Sequence, residues 1–87
     1  MYADEKSHER LRKTYFEVID NQIKLNDPTE VKQTMDRLLK LGYNEFETKS
    51  FIVDCLQIEI YDVIKNGKKF NEKRYVRNLK NLPQEPM

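Results

Sequence analysis

The amino-acid sequence predicts an all-α fold: a compact bundle of about four helices with a long central third helix. Three short segments, residues 27–30, 41–47 and 66–71, combine residues that end one helix with residues that begin the next. Between these segments, apolar residues recur at steps of three and four, which is the period of an amphipathic helix.

The first predicted helix covers about residues 4 to 25, and its first turns are almost purely charged. Asn21 and Gln22 interrupt its apolar stripe, and a buried amide side chain requires hydrogen-bond partners. Gln22 therefore lies on a polar helix edge, bonds to a helix terminus, or occupies a polar position in an interface with a partner chain. The apolar positions with helical spacing are Leu11, Tyr15, Val18, Ile19 and Ile23.

The second predicted helix covers residues 28 to 41. Asp27 is a typical N-cap residue, and Pro28 suits the first helical position because its missing N–H would have no partner there. Glu30 adds a negative charge near the positive end of the helix dipole. Gly42 is predicted to end the helix in the left-handed conformation.

The third predicted helix covers about residues 45 to 66 and begins at Asn44, with Glu47 completing a reciprocal capping box. Gly67 is predicted to end it. Apolar residues surround much of its circumference, so we expect the other helices to pack around it. These residues are Phe51, Ile52, Val53, Cys55, Leu56, Ile58, Ile60, Tyr61, Val63 and Ile64.

The fourth predicted helix begins at Asn71 and ends at Leu82, because the residue before Pro83 avoids the helical conformation. Phe70 precedes the cap and is placed to contact Tyr75, which is the arrangement of a hydrophobic staple. We expect this short helix to pack its apolar side against the third helix.

Composition is typical of a folded protein rather than of a disordered chain, since 36% of the residues are charged and 38% are apolar. The chain forms one predicted domain, 1–87, and we expect residues 1–5 and 83–87 to fray. No secretion signal is visible, and no apolar run reaches the ~20 residues that span a membrane, so we expect a cytoplasmic protein. The single cysteine, Cys55, excludes an internal disulfide and is predicted to be buried and unreactive.

The sequence shows no catalytic constellation, phosphate-binding loop or metal-ligand cluster, so we expect a non-enzymatic protein without cofactor or metal. His8 lies alone in a charged first turn and is interpreted as a surface residue. Two carboxylate pairs could form a catalytic site only by converging across adjacent helices, and solvated charge or ion pairs are the favoured interpretation. The pairs are Glu17 with Asp20 and Glu59 with Asp62.

Charge is unevenly distributed along a chain whose net charge is only +1. Residues 65–80 contain seven basic residues and one acid, whereas the residues before them contain nine basic and thirteen acidic ones. Lysine and arginine side chains bind phosphate backbones, so this segment makes RNA or DNA binding an alternative function. The predicted contact residues for nucleic acid or another partner are Lys68, Lys69, Lys73, Arg74, Arg77 and Lys80.

Two familiar motifs are mimicked where the second predicted helix meets the third. The two helices resemble a helix-turn-helix, but Glu45 and Glu47 at the start of the third helix would repel phosphates. Residues 41–43 resemble the loop of ubiquitin-associated domains, but a helix end in which Tyr43 packs on Leu38 explains the same residues. We therefore assign neither motif.

Several short motifs follow one another in a fixed order: Asp20-Asn21-Gln22-Ile23, Asp27-Pro28-Thr29-Glu30-Val31, Thr34, Arg37-Leu38, Gly42, Glu47, residues 60–67, Phe70 and Tyr75. In this order they resemble the small prokaryotic family catalogued as domain of unknown function 1841, over about residues 11 to 82. In that family the third helix opens with two histidines four residues apart, where this chain has Phe46 and Ser50 beside a retained Glu47. The resemblance implies no assigned activity, and the histidine pair that could hold a metal is replaced here.

The small size of the chain predicts self-association, since a chain of this length buries only about 60 to 65 per cent of its unfolded surface. We therefore expect an interaction or assembly module that forms a homodimer or binds another protein. RNA or DNA binding through residues 65–80 is the alternative, and an enzyme with a carboxylate-only site is the third class.

Overall fold

The computed structural model describes the backbone of residues 4–86 and the side chains of residues 11–86. Four helices and no strand are present in this part of the chain, which confirms the predicted all-α bundle. The predicted exposure of the His8 side chain and the predicted fraying at residues 1–3 and 87 lie outside the described residues. The helices are α1 (Asp4–Leu25), α2 (Thr29–Lys40), α3 (Glu45–Asn66) and α4 (Glu72–Asn81).

Both ends of α3 follow the predicted pattern. The Asn44 side chain accepts a hydrogen bond from the backbone N–H of Glu47 (2.7 Å), and the Glu47 carboxylate accepts one from the N–H of Asn44 (3.0 Å). Gly67 ends the helix at a left-handed φ of 62°, and the N–H of Lys68 donates to the carbonyl of Asp62 (3.1 Å). The reciprocal capping box and the glycine terminator are therefore confirmed.

The predicted cap and staple of α4 are also confirmed. The Asn71 side chain accepts a hydrogen bond from the N–H of Arg74 (3.0 Å). The rings of Phe70 and Tyr75 meet edge to face with their centroids 5.5 Å apart, which is a favourable aromatic geometry. These two contacts set the direction in which the chain enters α4.

The end of α2 is the predicted left-handed turn. Gly42 has a φ of 106°, and the N–H of Tyr43 donates to the carbonyl of Leu38 (3.2 Å). The Tyr43 ring meets the Phe51 ring of α3 edge to face at 5.1 Å. Residues 41–43 therefore form a helix end that joins α2 to α3. This is the interpretation that the sequence analysis favoured over the loop of ubiquitin-associated domains.

The predicted cap of α2 is wrong. The N-cap residue is Pro28, at φ −74° and ψ 149°, and no side chain caps the helix. Asp27 instead completes the end of α1, where Asn26 is left-handed (φ 54°) and the N–H of Asp27 donates to the carbonyl of Gln22 (3.0 Å). Asp27 therefore lies one residue too early to cap α2, because Asn26 ends α1 as a glycine usually would.

The core lies where α3 contacts α1, α2 and α4, so the predicted central position of α3 is confirmed. α2 shares this position, since it also contacts the other three helices. Among residues 4–86, no helix is both long enough and apolar enough to cross a bilayer. The buried apolar residues are Ile19, Val31, Met35, Leu38, Ile52, Val53, Cys55, Leu56, Tyr75, Leu79 and Leu82.

The last turns of α3 are more exposed than the sequence predicts. Tyr61 is 59% exposed, Val63 39% and Ile64 77%. The reason is length: α3 has 22 residues, whereas α2 has 12 and α4 has 10, so the short helices cover only part of the length of α3. Apolar surface is therefore left open toward the C-terminal end of α3.

Candidate interaction surfaces

The predicted basic contact residues lie on α4 and on the loop before it. Five of the six are exposed, whereas Arg74 is half-buried. A cleft on this side of the molecule is lined by basic residues of α4 together with Glu30 and Glu72, so its charge is mixed. We call the five exposed residues the basic surface: Lys68, Lys69, Lys73, Arg77 and Lys80.

Arg74 pairs with two carboxylates of α3. Its Nε donates to Oε2 of Glu59 (2.6 Å), and its Nη2 donates to Oε1 of Glu59 (3.0 Å) and to Oδ2 of Asp62. The backbone N–H of Asn71 donates to the same Glu59 Oε1 (3.1 Å). Ion pairing of these carboxylates is thus observed, but Glu59 is fully buried and not on the surface.

The pairing shifts the protonation of both partners. Hydrogen bonds from Arg74 and then from Asn66 hold the pKa of Asp62 below its ordinary value of 3.8. Hydrogen bonds to Glu59 and then to Asp62 raise the pKa of the Arg74 guanidinium. This network attaches the start of α4 to α3, whereas a contact of Arg74 with an external partner stays a prediction.

A second arginine, which the sequence analysis did not identify as structural, holds the other end of α4. Nη1 of Arg37 donates to the carbonyl of Leu82 (2.6 Å), and Nη2 donates to the carbonyls of Leu79 (2.9 Å) and Lys80 (3.4 Å). The last carbonyls of a helix have no partners within it, so Arg37 of α2 caps α4 from outside. Local patterns give no signal for this contact, because its partners are 42 to 45 residues apart.

Gln22, the predicted polar interface position, is half-buried and has a partner within the chain. Its Oε1 accepts a hydrogen bond from the hydroxyl of Tyr75 (2.8 Å). Burial raises the pKa of Tyr75, so the hydroxyl keeps its proton and remains a donor at neutral pH. A contact between Gln22 and a second chain stays a prediction.

The four candidate carboxylates divide between two separate places. Asp20 of α1 pairs with Nζ of Lys49 on α3 (2.8 Å), and Glu17 is exposed, while the other two carboxylates pair with Arg74. They do not surround one cavity. In the described part of the chain, no group of three or more His, Cys, Asp or Glu side chains is arranged to hold a metal ion.

Cys55 lies on the buried side of α3. Its side chain is fully buried, and this burial, with a smaller contribution from the charge of Asp54, raises the pKa of the thiol to about 12. The reactive form of a cysteine is the thiolate, so Cys55 is unreactive near neutral pH.

An apolar groove lies between α1 and α3. It encloses about 560 Å³, and three of its side chains are strongly exposed: Leu11 (50%), Tyr61 (59%) and Ile64 (77%). Large apolar side chains that are exposed together, rather than singly, are typical of interaction surfaces. We use the term apolar groove for Leu11, Tyr15, Ile58, Ile60, Tyr61 and Ile64.

The apolar groove has an acidic end and a basic end. Asp54 lines it toward the start of α3, and Lys65 lines it toward the end of α3. Burial and then the charge of Glu85 raise the pKa of Asp54, so a second carboxylate acts at the acidic end. Neither Asp54 nor Lys65 forms a salt bridge with any side chain among residues 11–86.

The positions that replace the two histidines of the resembled family lie near this groove. Phe46 and Ser50 line a small cavity with Asp54. The Phe46 ring meets the Phe16 ring edge to face at 5.7 Å, and the Arg12 guanidinium lies 5.7 Å from the centre of the Phe46 ring. An aromatic packing contact between α1 and α3 therefore occupies this place.

Comparison with known proteins identifies the family and no further relative. No curated protein and no solved structure matches the chain. A family model matches residues 11–81, which run from Leu11 in α1 to the last residue of α4. The chain therefore belongs to the family described as domain of unknown function 1841, DUF1841.

Proposed function

We propose that this protein is a non-enzymatic interaction module that self-associates through the apolar groove. The observation that carries the proposal is the shared exposure of Leu11, Tyr61 and Ile64 on the two longest helices. Burying apolar surface contributes about 25 cal/mol per Å², so covering the exposed parts of all three side chains favours association.

The position of the groove supports the same proposal. α1 and α3 each have 22 residues, and the groove lies on a different side of α3 from Glu59 and Asp62, which face α4. No element of residues 11–86 covers Tyr61 or Ile64. If α1 and α3 of a second copy packed against this side, the four long helices would form a bundle, which is a common helical arrangement.

Sedimentation velocity between about one and a few hundred micromolar tests self-association. We expect the weight-average sedimentation coefficient of the natural protein to rise with concentration. Ile64→Glu should abolish the rise, because it places a charge where the second copy packs. Leu25→Glu is the matched control, because Leu25 is 74% exposed but does not line the groove, and it should leave the rise unchanged.

A natural protein that remains monomeric across this range would contradict the proposal. Equal loss of association in Ile64→Glu and Leu25→Glu would also contradict it, since the groove would then have no special role. Far-ultraviolet circular dichroism of each variant confirms that the helices are intact before the sedimentation data are compared.

RNA or DNA binding through the basic surface is the second candidate function. The specific observation in its favour is that Lys68, Lys69, Lys73, Arg77 and Lys80 are all exposed on one segment. Glu30 and Glu72 share the cleft beside it and weaken its attraction for phosphate.

An electrophoretic shift titration with single-stranded RNA and duplex DNA tests this second candidate. Binding that weakens steeply with salt, and that is lost when Lys69 and Lys73 are changed to Glu, is the expected result. The same double change at Lys13 and Lys32, two exposed lysines outside the segment, should have a much smaller effect. The absence of salt-sensitive binding would exclude nucleic-acid recognition.

A further inference from the structure

We propose that the self-association is an antiparallel, two-fold pairing of α3 with α3 of a second copy, centred on Tyr61, with the acidic end of each groove facing the basic end of the other. This inference rests on the proposed function and adds its geometry. A second copy of this chain is the occupant of the apolar groove.

The exposed stripe on α3 follows one face of the helix. The residues of α3 that line the groove are 54, 57, 58, 60, 61, 64 and 65. At about 100° per residue, all of them except residue 60, which lies at one edge, fall within an arc of roughly 120°, the width of one helix-packing face. Tyr61 lies in the middle of this arc, and it also lies near the middle of the stripe along the helix axis. A two-fold axis beside Tyr61 therefore uses the whole stripe.

Apolar positions of the two copies meet each other across a two-fold axis beside Tyr61. In an isologous interface, when residue i contacts residue j, residue j also contacts residue i. An axis beside Tyr61 pairs Tyr61 with itself and Ile58 with Ile64 of the second copy, and it pairs Gln57 with Lys65. Ile64, the most exposed of these side chains, is thereby covered by an isoleucine that is already half-buried.

The charges at the ends of the groove favour the antiparallel over the parallel arrangement. Within one chain, Asp54 and Lys65 are separated by about 16 Å along the helix, at ~1.5 Å per residue, so they cannot pair with each other. A parallel arrangement would place Asp54 beside Asp54 and Lys65 beside Lys65, and like charges repel. The antiparallel arrangement centred on Tyr61 places Asp54 opposite Lys68 of the second copy and within one helical turn of its Lys65. It therefore gives partners to groove charges that have no salt bridge among residues 11–86.

Cysteine cross-linking tests the geometry. Under mild oxidation, Tyr61→Cys should form a disulfide-linked dimer, because the two copies of this position face each other across the axis. Asp54→Cys should not cross-link with itself, whereas a mixture of Gln57→Cys and Lys65→Cys should give a mixed dimer. The native Cys55 does not interfere, because it is fully buried.

Charge reversal tests the electrostatic match independently of cysteine chemistry. Asp54→Lys and Lys65→Asp should each weaken self-association about fivefold to tenfold, since each change opposes like charges at both ends of the interface. The double variant, Asp54→Lys with Lys65→Asp, should associate more tightly than either single variant, because positions 54 and 65 again carry opposite charges.

The outcomes separate the geometry from the proposed function. If the natural protein associates but Asp54→Cys cross-links as readily as Tyr61→Cys, the pairing is not antiparallel and the inference is wrong while self-association stands. Failure of the charge-reversed double variant to regain affinity would also overturn it. If the natural protein does not associate at any concentration, the proposed function fails first, and the geometry fails with it.

Discussion

The two sides of α3 differ in how their side chains are satisfied within the chain. Toward α4, the two carboxylates of Glu59 and Asp62 both pair with Arg74. Toward α1, the apolar groove leaves Tyr61 and Ile64 exposed. The first side is complete within the chain, and the second side is not.

The difference distinguishes groups that stabilise the fold from groups that are available to a partner. A buried carboxylate such as Glu59 is tolerated only when charged donors satisfy it, so its network serves the fold. Grouped apolar exposure has no comparable role within a monomer, because it gives up burial energy that the chain could have used. Substitutions on the two sides should therefore have opposite signatures, affecting stability on one side and association on the other.

The largest expected loss of stability comes from Glu59→Ala. It removes the acceptor of three hydrogen bonds and leaves a cavity, so the free energy of unfolding should fall by about 3 kcal/mol. Urea denaturation followed by circular dichroism measures the change. Glu17→Ala, at an exposed position of α1, is the control and should change stability by less than ~0.5 kcal/mol. Equal effects of the two variants would refute the structural role of the network.

Arg37→Met should have the next largest effect, about 2 kcal/mol, because it leaves the last carbonyls of α4 without their charged donors. Amide hydrogen exchange gives a more specific measurement, since protection should fall mainly in α4. Arg37→Lys keeps the charge but loses the forked geometry, and its effect should be intermediate. Unchanged protection in α4 would show that Arg37 does not cap it.

Tyr75→Phe should lower the free energy of unfolding by about 1 kcal/mol, because the oxygen of Gln22 loses its donor. Tyr61→Phe is the same chemical change on the exposed side of α3 and should leave monomer stability unchanged. Thermal unfolding at low protein concentration compares the two. A larger loss for Tyr61→Phe would contradict the assignment of the two sides.

The smallest expected effect is a change in acid sensitivity. The pKa of Asp62 in the folded chain lies below its ordinary value of 3.8, so its stabilising contribution is present above that value and is lost as the pH falls through the folded pKa. Asp62→Asn removes this contribution. The stability of the natural protein should therefore fall more steeply than that of the variant as the pH drops below about 4. Identical pH profiles would show that Asp62 does not take part.

Local patterns in the sequence predicted the helix ends well, because capping depends on residues three or four positions apart. Asn44 with Glu47, Gly67 and Asn71 all occupy their predicted roles. The predicted N-cap of α2 at Asp27 was wrong because this residue takes part in the end of α1. The left-handed conformation of Asn26 was not predicted from the sequence.

Contacts between distant residues could not be predicted in this way. The pairing of Arg74 with Glu59 and the capping by Arg37 depend on how the helices pack, and neither leaves a periodic signal. The apolar groove was partly predictable. Its residues are recognisable as apolar in the sequence. Their exposure depends on the unequal lengths of the helices, which the predicted helix ends already indicated.

Concentration-dependent amide chemical shifts give the most direct test of the contrast between the two sides of α3. Spectra of the ¹⁵N-labelled protein should show shifts that grow with concentration at residues 11–15 and 54–65 and that are small throughout α4. Shifts concentrated on residues 69–80, or spectra that do not change with concentration, would contradict the account.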